Sequence, residues 1–212
     1  MNARDETNAS DAGFTAEHGA LPGATRDRQS ITRDWTPLQK LIDGVVVREV
    51  RNVPKDNGYL TEIWRADWQL DGAVAQVFQA LLAPGGVSAW HAHRHATDRL
   101  FANHGLIKVV LFDARRDSAT TGRINVFRCG DVRPQLVVVP PGVWHGVQNI
   151  GATPALLLNL PDRGYAYESP DHWRLPPDTA EIPYSFAAGP RTSEKRSRGE
   201  AGGTGAYRSI RE

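Results

Sequence analysis

What most limits the fold of this chain is the rhythm of its apolar residues, which come in runs of strand length separated by turn residues. The runs occupy 45–50, 59–64, 74–82, 106–112, 124–128, 136–139 and 155–160. Between them stand Asp56-Asn57-Gly58, Asp71-Gly72, Pro84-Gly85-Gly86, Thr121-Gly122, Gly130-Asp131 and Asn149-Ile150-Gly151. Such residues punctuate because glycine accepts positive φ and Asn or Asp side chains bond their own backbone. Many short strands, with no helical period over any long window, predict an all-β antiparallel sandwich or barrel. One short helix is expected from Trp35 to Ile42, with Thr36 as N-cap, Pro37 in the first turn and closure at Asp43-Gly44.

The flanks read differently. Residues 1–33 are polar, without apolar period, and 188–212 are rich in Gly, Ser, Arg, Lys and Glu. Neither stretch can bury enough apolar surface to offset its ordering entropy, so both are expected to be disordered tails around a domain at 34–187. Within that domain, residues 162–186 predict an ordered strap over the β-structure. A length of 212 residues suits one ordinary domain, and a net charge of +1 excludes nucleic acid and anionic membrane as expected partners. Cys129 stands alone, which fits a reducing compartment and a buried small apolar role. There is no run long enough to span a bilayer and no signal-peptide core, so the expected location is cytoplasmic.

The chemistry concentrates between Gly85 and Gly105. Gly85 is followed by five residues, then His91-x-His93, four residues, Asp98, six residues and Gly105. On a strand, residues two apart share a face, so His91 and His93 project together. A later segment answers them: Pro140-x-Gly142, two residues, His145, three residues, Asn149. The two segments resemble the paired signatures of the cupin family, with Asp98 where that family usually has Glu and Pro134 where it has a glycine. The resemblance implies a cupin-type jelly roll. His91, His93, Asp98 and His145 would form a mixed nitrogen and oxygen set for a divalent Fe, Mn, Ni or Zn ion.

A narrower resemblance covers residues 45–186. Asp56-Asn57-Gly58-Tyr59-Leu60-Thr61-Glu62, Asp113-Ala114-Arg115 with Ser118 to Gly122, Pro140-Pro141-Gly142-Val143-Trp144-His145-Gly146, Tyr167-Glu168-Ser169-Pro170-Asp171 and Ile182-Pro183-Tyr184 occur in order. Together they resemble segments of the dTDP-4-dehydrorhamnose 3,5-epimerase family. That resemblance implies proton abstraction beside the carbonyl of a nucleotide-linked (dTDP) 4-keto-6-deoxy sugar, in a homodimer that needs no cofactor. His91 matches the base, and Arg99 stands nearest the cation that steadies the enolate, with Lys108 close by. Tyr59 and Glu62 match substrate-binding positions that reach a partner subunit's site, and His145 joins the substrate-binding set. Where the family has its acid tyrosine this chain has Leu158-Asn159, which leaves Tyr165 or Tyr167 as the displaced phenol. Asp178 stands one position out of step with the carboxylate that orients the base.

The same residues support two other readings. One is a metal-dependent cupin oxygenase or isomerase, which excludes His91 as base because a lone pair on a metal cannot take a proton. The other is a sugar-nucleotide binder without catalysis. Plainer roles are also open: His145 satisfied by Asn149, Trp90 and Trp144 as core aromatics or sugar-stacking walls, and the Asp113, Arg115 and Ser118 group as a bonded turn.

Overall fold

The computed structural model describes residues 15–34, 36–70 and 72–187. The chain divides into a unit ending at Lys40 and a unit beginning at Leu41. In the described part of the first, a 3-10 turn at Ala16–His18 and a lone bridge between Ile31 and Pro37 are the regular features. The expected helix does not form. Trp35 lies outside the described residues, Pro37 sits in the bridge, and Ile42 is drawn into a core, 1% exposed, with its amide donating to Asn125 Oδ1 at 2.8 Å. Of the predicted tails, residues 1–14 and all of 188–212 fall outside the described residues.

The second unit is a sandwich of antiparallel strands, as the turn spacing predicted. Its strands are β1 Val46–Glu49, β2 Asn52–Lys55, β3 Gly58–Thr61, β4 Phe78–Leu82, β5 Val87–Ala92 and β6 Asp98–His104. They continue with β7 Leu106–Asp113, β8 Ile124–Gly130, β9 Gln135–Val139, β10 Val143–Asn149, β11 Ala155–Asn159 and β12 Trp173–Arg174. One sheet has the order β1-β9-β6-β11-β4, the other β12-β5-β10-β7-β8, and β2 with β3 forms a separate hairpin. β5 and β6, adjacent in sequence, therefore lie in opposite sheets.

Period-two alternation decides what each face carries. From β6, Leu100 and Ala102 enter the core between the sheets, with Ile107, Val109 and Leu111 of β7 and Val137 and Val139 of β9. Each of these Leu, Ile and Val side chains, fully buried, contributes about 1.5–3 kcal/mol. Cys129 belongs to this core and is 1% exposed. The alternate residues face outward and are covered in turn. Phe101 and Leu136 pack with Ile63, Trp64 and Leu70, the chain that follows β3. Trp90 and Val110 pack beneath Ile182 and Phe186 of the strap. Gly146 permits that last contact, because a Cβ there would stand 2.5 Å from Ala89 Cβ and 2.8 Å from Phe186 Cζ. Among the described residues no helix is long and apolar enough to cross a membrane.

Candidate active site

Four polar side chains interrupt the inner faces at one end of the sandwich. His91 of β5 and His145 of β10 are register partners, His93 follows β5 directly, and Asp98 opens β6 from the opposite sheet. The register between β5 and β10 shifts between His145 and Val147, and Ser88 also lines the space beside His91. These residues line a cavity of about 990 Å³, closed on another side by Arg163, Tyr165, Tyr167, Asp171, His172 and Arg174 of the strap.

Asp98 is the centre of one cluster. Its side chain is only 4% exposed, and its Oδ2 lies 3.2 Å from His93 Nε2 and 3.1 Å from His145 Nε2. The other nitrogens of both rings face backbone carbonyls, His93 Nδ1 that of Asp171 and His145 Nδ1 that of Val143 at 3.3 Å. Carbonyls only accept, so both Nδ1 atoms carry hydrogen. Each Nε2 then points at a carboxylate oxygen, and a lone pair there would meet another lone pair. The cluster is thus suited to positive charge between rings and carboxylate, supplied by protons or by one divalent cation. Its titration follows the same logic. Burial opposes ionisation of Asp98, yet the bonds to His145 and His93 outweigh it and hold the carboxyl far below its ordinary range. Burial alone would lower His93, but the bond and charge of Asp98 raise it instead.

His91 belongs to a second cluster. Its Nε2 is 3.0 Å from Ser88 Oγ, and its Nδ1 is 2.9 Å from Nε2 of His172. Burial, followed by the neighbouring His145 and His172, pushes its pKa down to about 3, so the ring is neutral near neutral pH. His93, Asp98 and His145 have ligand atoms within 4.8 Å of one another, and His91 is not in that group. Three of the four predicted ligands are gathered in that group, and His91 stands outside it with its own partners.

Several expected site residues are elsewhere. Alternation on β6 turns Asp98 inward and Arg99 outward, where the fully buried guanidinium donates to the carbonyls of Leu160, Leu70 and Gly72 at 3.0–3.1 Å. Lys108 is likewise on the outer face, its Nζ 5.6 Å from the rings of Tyr184 and Phe186. Neither cation lines the cavity. Asp178 is exposed and away from it, because Leu175 pairs its backbone with Trp90 and the chain beyond turns to the outer face. Tyr59, 55% exposed, and Glu62, paired with Arg65 at 3.2 Å, lie on and after the β2–β3 hairpin, apart from this chain's cavity. Tyr165 and Tyr167 do line the cavity, with rings 5.3 Å apart.

The plainer roles are also decided. Trp90 and Trp144 belong to the apolar outer cluster, and Asn149 satisfies Leu82, Thr153 and Gly151 rather than His145. Arg115, Ser118 and Thr120 all bond the Asp113 carboxylate, which makes that group a turn.

Sequence reasoning missed Ser88, Asp171 and His172. Ser88, three residues before His91, has no strand-spacing signal because the β-bulge breaks the alternation. The adjacent Asp171-His172 was the signal within the strap. The Asp171 carboxylate accepts the amides of Arg94, His95 and Ala96 at 2.7, 2.8 and 3.2 Å, tying the strap to the turn between β5 and β6. Burial opposes its ionisation, but these three amides prevail and lower its pKa below the ordinary value of 3.8. A depressed carboxyl stabilises above its unfolded pKa and ceases to do so as pH falls through its folded one. Strap cleavage in limited proteolysis is therefore expected to rise below pH 3.8, and at neutral pH in Asp171→Asn. A cleavage rate indifferent to both changes would contradict this anchoring.

Comparison with known proteins agrees with this architecture. The family model described as Cupin matches residues 48–160. The "Probable low-salt glycan biosynthesis epimerase Agl13" of Haloferax volcanii is 36% identical over 141 residues, covering 65% of this chain and 89% of that protein. The spore coat polysaccharide biosynthesis protein SpsL of Bacillus subtilis is 33% identical over 146 residues, covering 69% and 97%. Among solved structures, the dTDP sugar isomerase from Desulfovibrio desulfuricans superposes with a TM-score of 0.66 at 30% identity, covering 70% of this chain and 94% of that one. The chain belongs to the cupin family, and within it groups with the sugar epimerases.

Proposed function

We propose that the cavity epimerises or isomerises a nucleotide-linked 4-keto-6-deoxy sugar, with dTDP as the nucleotide, by removing a proton from a carbon beside the carbonyl. The observation that carries this reading is the neutral His91, its Nε2 beside Ser88 at the cavity and its Nδ1 against His172. A base must present a lone pair at working pH, and His91 does. Its low pKa makes it a weak base in the free protein, and the negative diphosphate of such a substrate would raise it on binding. The volume of about 990 Å³ suits a nucleotide sugar, and Arg163 and Arg174 on the lining supply charge for its phosphates.

In the reaction, His91 Nε2 takes the proton and the electron pair of that C–H bond becomes the enolate. Positive charge around Asp98 stabilises the enolate oxygen, the role the sequence had given to Arg99 or Lys108. Reprotonation from the opposite face is assigned to the hydroxyl of Tyr165 or Tyr167 at the mouth; solvent then restores the phenol and takes the proton from His91. His93, Asp98 and His145 also fit a divalent cation, since each histidine already gives its other N–H to a carbonyl, as metal-binding histidines do. Such an ion would supply Lewis-acid polarisation of the sugar carbonyl, while His91 remains the base.

Incubation with a dTDP-4-keto-6-deoxy sugar is expected to yield its C3 or C5 epimer, or the isomer with the carbonyl moved, read by proton NMR coupling constants. Unchanged sugar across a panel of nucleotide 4-keto sugars would overturn the reading.

We also propose a homodimer in which the β2–β3 hairpin carries Tyr59 and Glu62 to the partner's cavity. Supporting it are the exposed Val53, Tyr59 and Leu60 on that hairpin. Sedimentation at micromolar concentration should show a dimer; monomer alone would exclude the arrangement.

A further inference from the structure

We infer that His172 is the positioning residue of His91: its Nε2 accepts the His91 Nδ1 hydrogen and so leaves the His91 Nε2 lone pair facing the cavity. The inference rests on the reading of His91 as base, and it replaces the carboxylate expected from Asp178.

The geometry narrows the choice. A neutral imidazole carries one hydrogen, and the partner of one nitrogen decides which side holds the lone pair. At Nε2 the partner is the Ser88 hydroxyl, which donates or accepts equally well and dictates nothing. At Nδ1 the partner is His172 Nε2, at 2.9 Å. A base that works through Nε2 must hold its hydrogen on Nδ1, and His172, with its own hydrogen on Nδ1, is the acceptor placed to receive it. Such an orienting acceptor need not touch substrate to matter, since a base in the wrong tautomer has its lone pair on the wrong side.

The strap holds His172 in place from both sides. Asp171, immediately before it, accepts three amides of the turn after β5 and also takes the His93 Nδ1 hydrogen on its carbonyl. Immediately after it, Trp173 and Arg174 pair with Ala92 and His91 of β5. The ring is thus set 4.9 Å from that of His91, edge toward face, by backbone fixed at each neighbour.

Nitrogen-15 NMR of the full chain reads the tautomer directly, with the His91 resonances assigned by loss in His91→Gln. In the wild type at neutral pH the Nδ1–H form is expected. In His172→Ala that form should lose its dominance, whereas His172→Gln, whose amide oxygen can still accept, should keep it. Where a keto-sugar substrate is turned over, the Ala variant should lower kcat about 10–100-fold with KM changed less than twofold, and the Gln variant should recover most of the loss. An Nε2–H wild type, or an Nδ1–H form equally dominant in His172→Ala, would overturn the assignment. Equal kcat loss in the Ala and Gln variants would also overturn it. An Nδ1–H wild type that changes in the Ala variant but exchanges no proton with any keto sugar would support the positioning role while defeating the proposed function.

Discussion

His91→Ala is expected to lower exchange of the substrate proton beside the carbonyl by about 10²–10⁴-fold, the range ascribed to a positioned general base. The fold should survive, because His91 is only partly buried and lies in a cavity rather than in the apolar core. His93 and His145 cannot take over the reaction. Their Nδ1 atoms are committed to backbone carbonyls, and their Nε2 atoms face Asp98. Deuterium incorporation from solvent, followed by proton NMR, provides the measurement. Exchange at the wild-type rate in a folded His91→Ala protein would remove His91 from the mechanism.

Asp98→Asn should be the most damaging single change to stability. It replaces a buried carboxylate, whose one oxygen Oδ2 serves two imidazoles, with a neutral amide that supplies no negative charge to them. Removing one partner of a buried charged cluster costs on the order of 3–5 kcal/mol, because the partners left behind remain desolvated. Urea unfolding at neutral pH would show this as a lowered midpoint. The pH dependence supplies a second check. Because its folded pKa is depressed, Asp98 contributes stability above the ordinary carboxyl value of 3.8 and loses it as pH falls further. In the Asn variant the acid-side decline should flatten. A midpoint unchanged at neutral pH would mean that the cluster is not held by the carboxylate.

The split between what the sequence disclosed and what it hid follows from the range of each interaction. Turn residues act locally, so Asp56-Asn57-Gly58 and Thr121-Gly122 marked their turns correctly and the all-β architecture was legible. The spacing of His91, His93, Asp98 and His145 located the cavity for the same reason. Which side of a strand a residue faces depends on register, and that was not legible for Arg99 or Lys108. Asp98 and Arg99 are neighbours, yet one enters the cavity and the other holds a loop on the opposite face. The strap was harder still. Its place depends on distant backbone pairing, of Leu175 with Trp90 and of Arg174 with His91, so Asp178 was expected where His172 stands. The short helix failed because Ile42 is buried in the core, a tertiary demand that capping residues do not express.

The most direct test of the account is site-resolved deuterium uptake by a dTDP-4-keto-6-deoxy sugar incubated with the wild-type protein in deuterated water. The protein should be assayed both as purified, with its metal content determined, and after treatment with a chelator. Proton abstraction by His91 predicts deuterium at C3 or C5, the carbons beside the C4 carbonyl, and a cluster held by protons rather than by an ion predicts continued uptake after metal removal. No uptake at either carbon would contradict the abstraction, and uptake abolished by the chelator and restored only by a divalent metal would contradict the proton-held cluster.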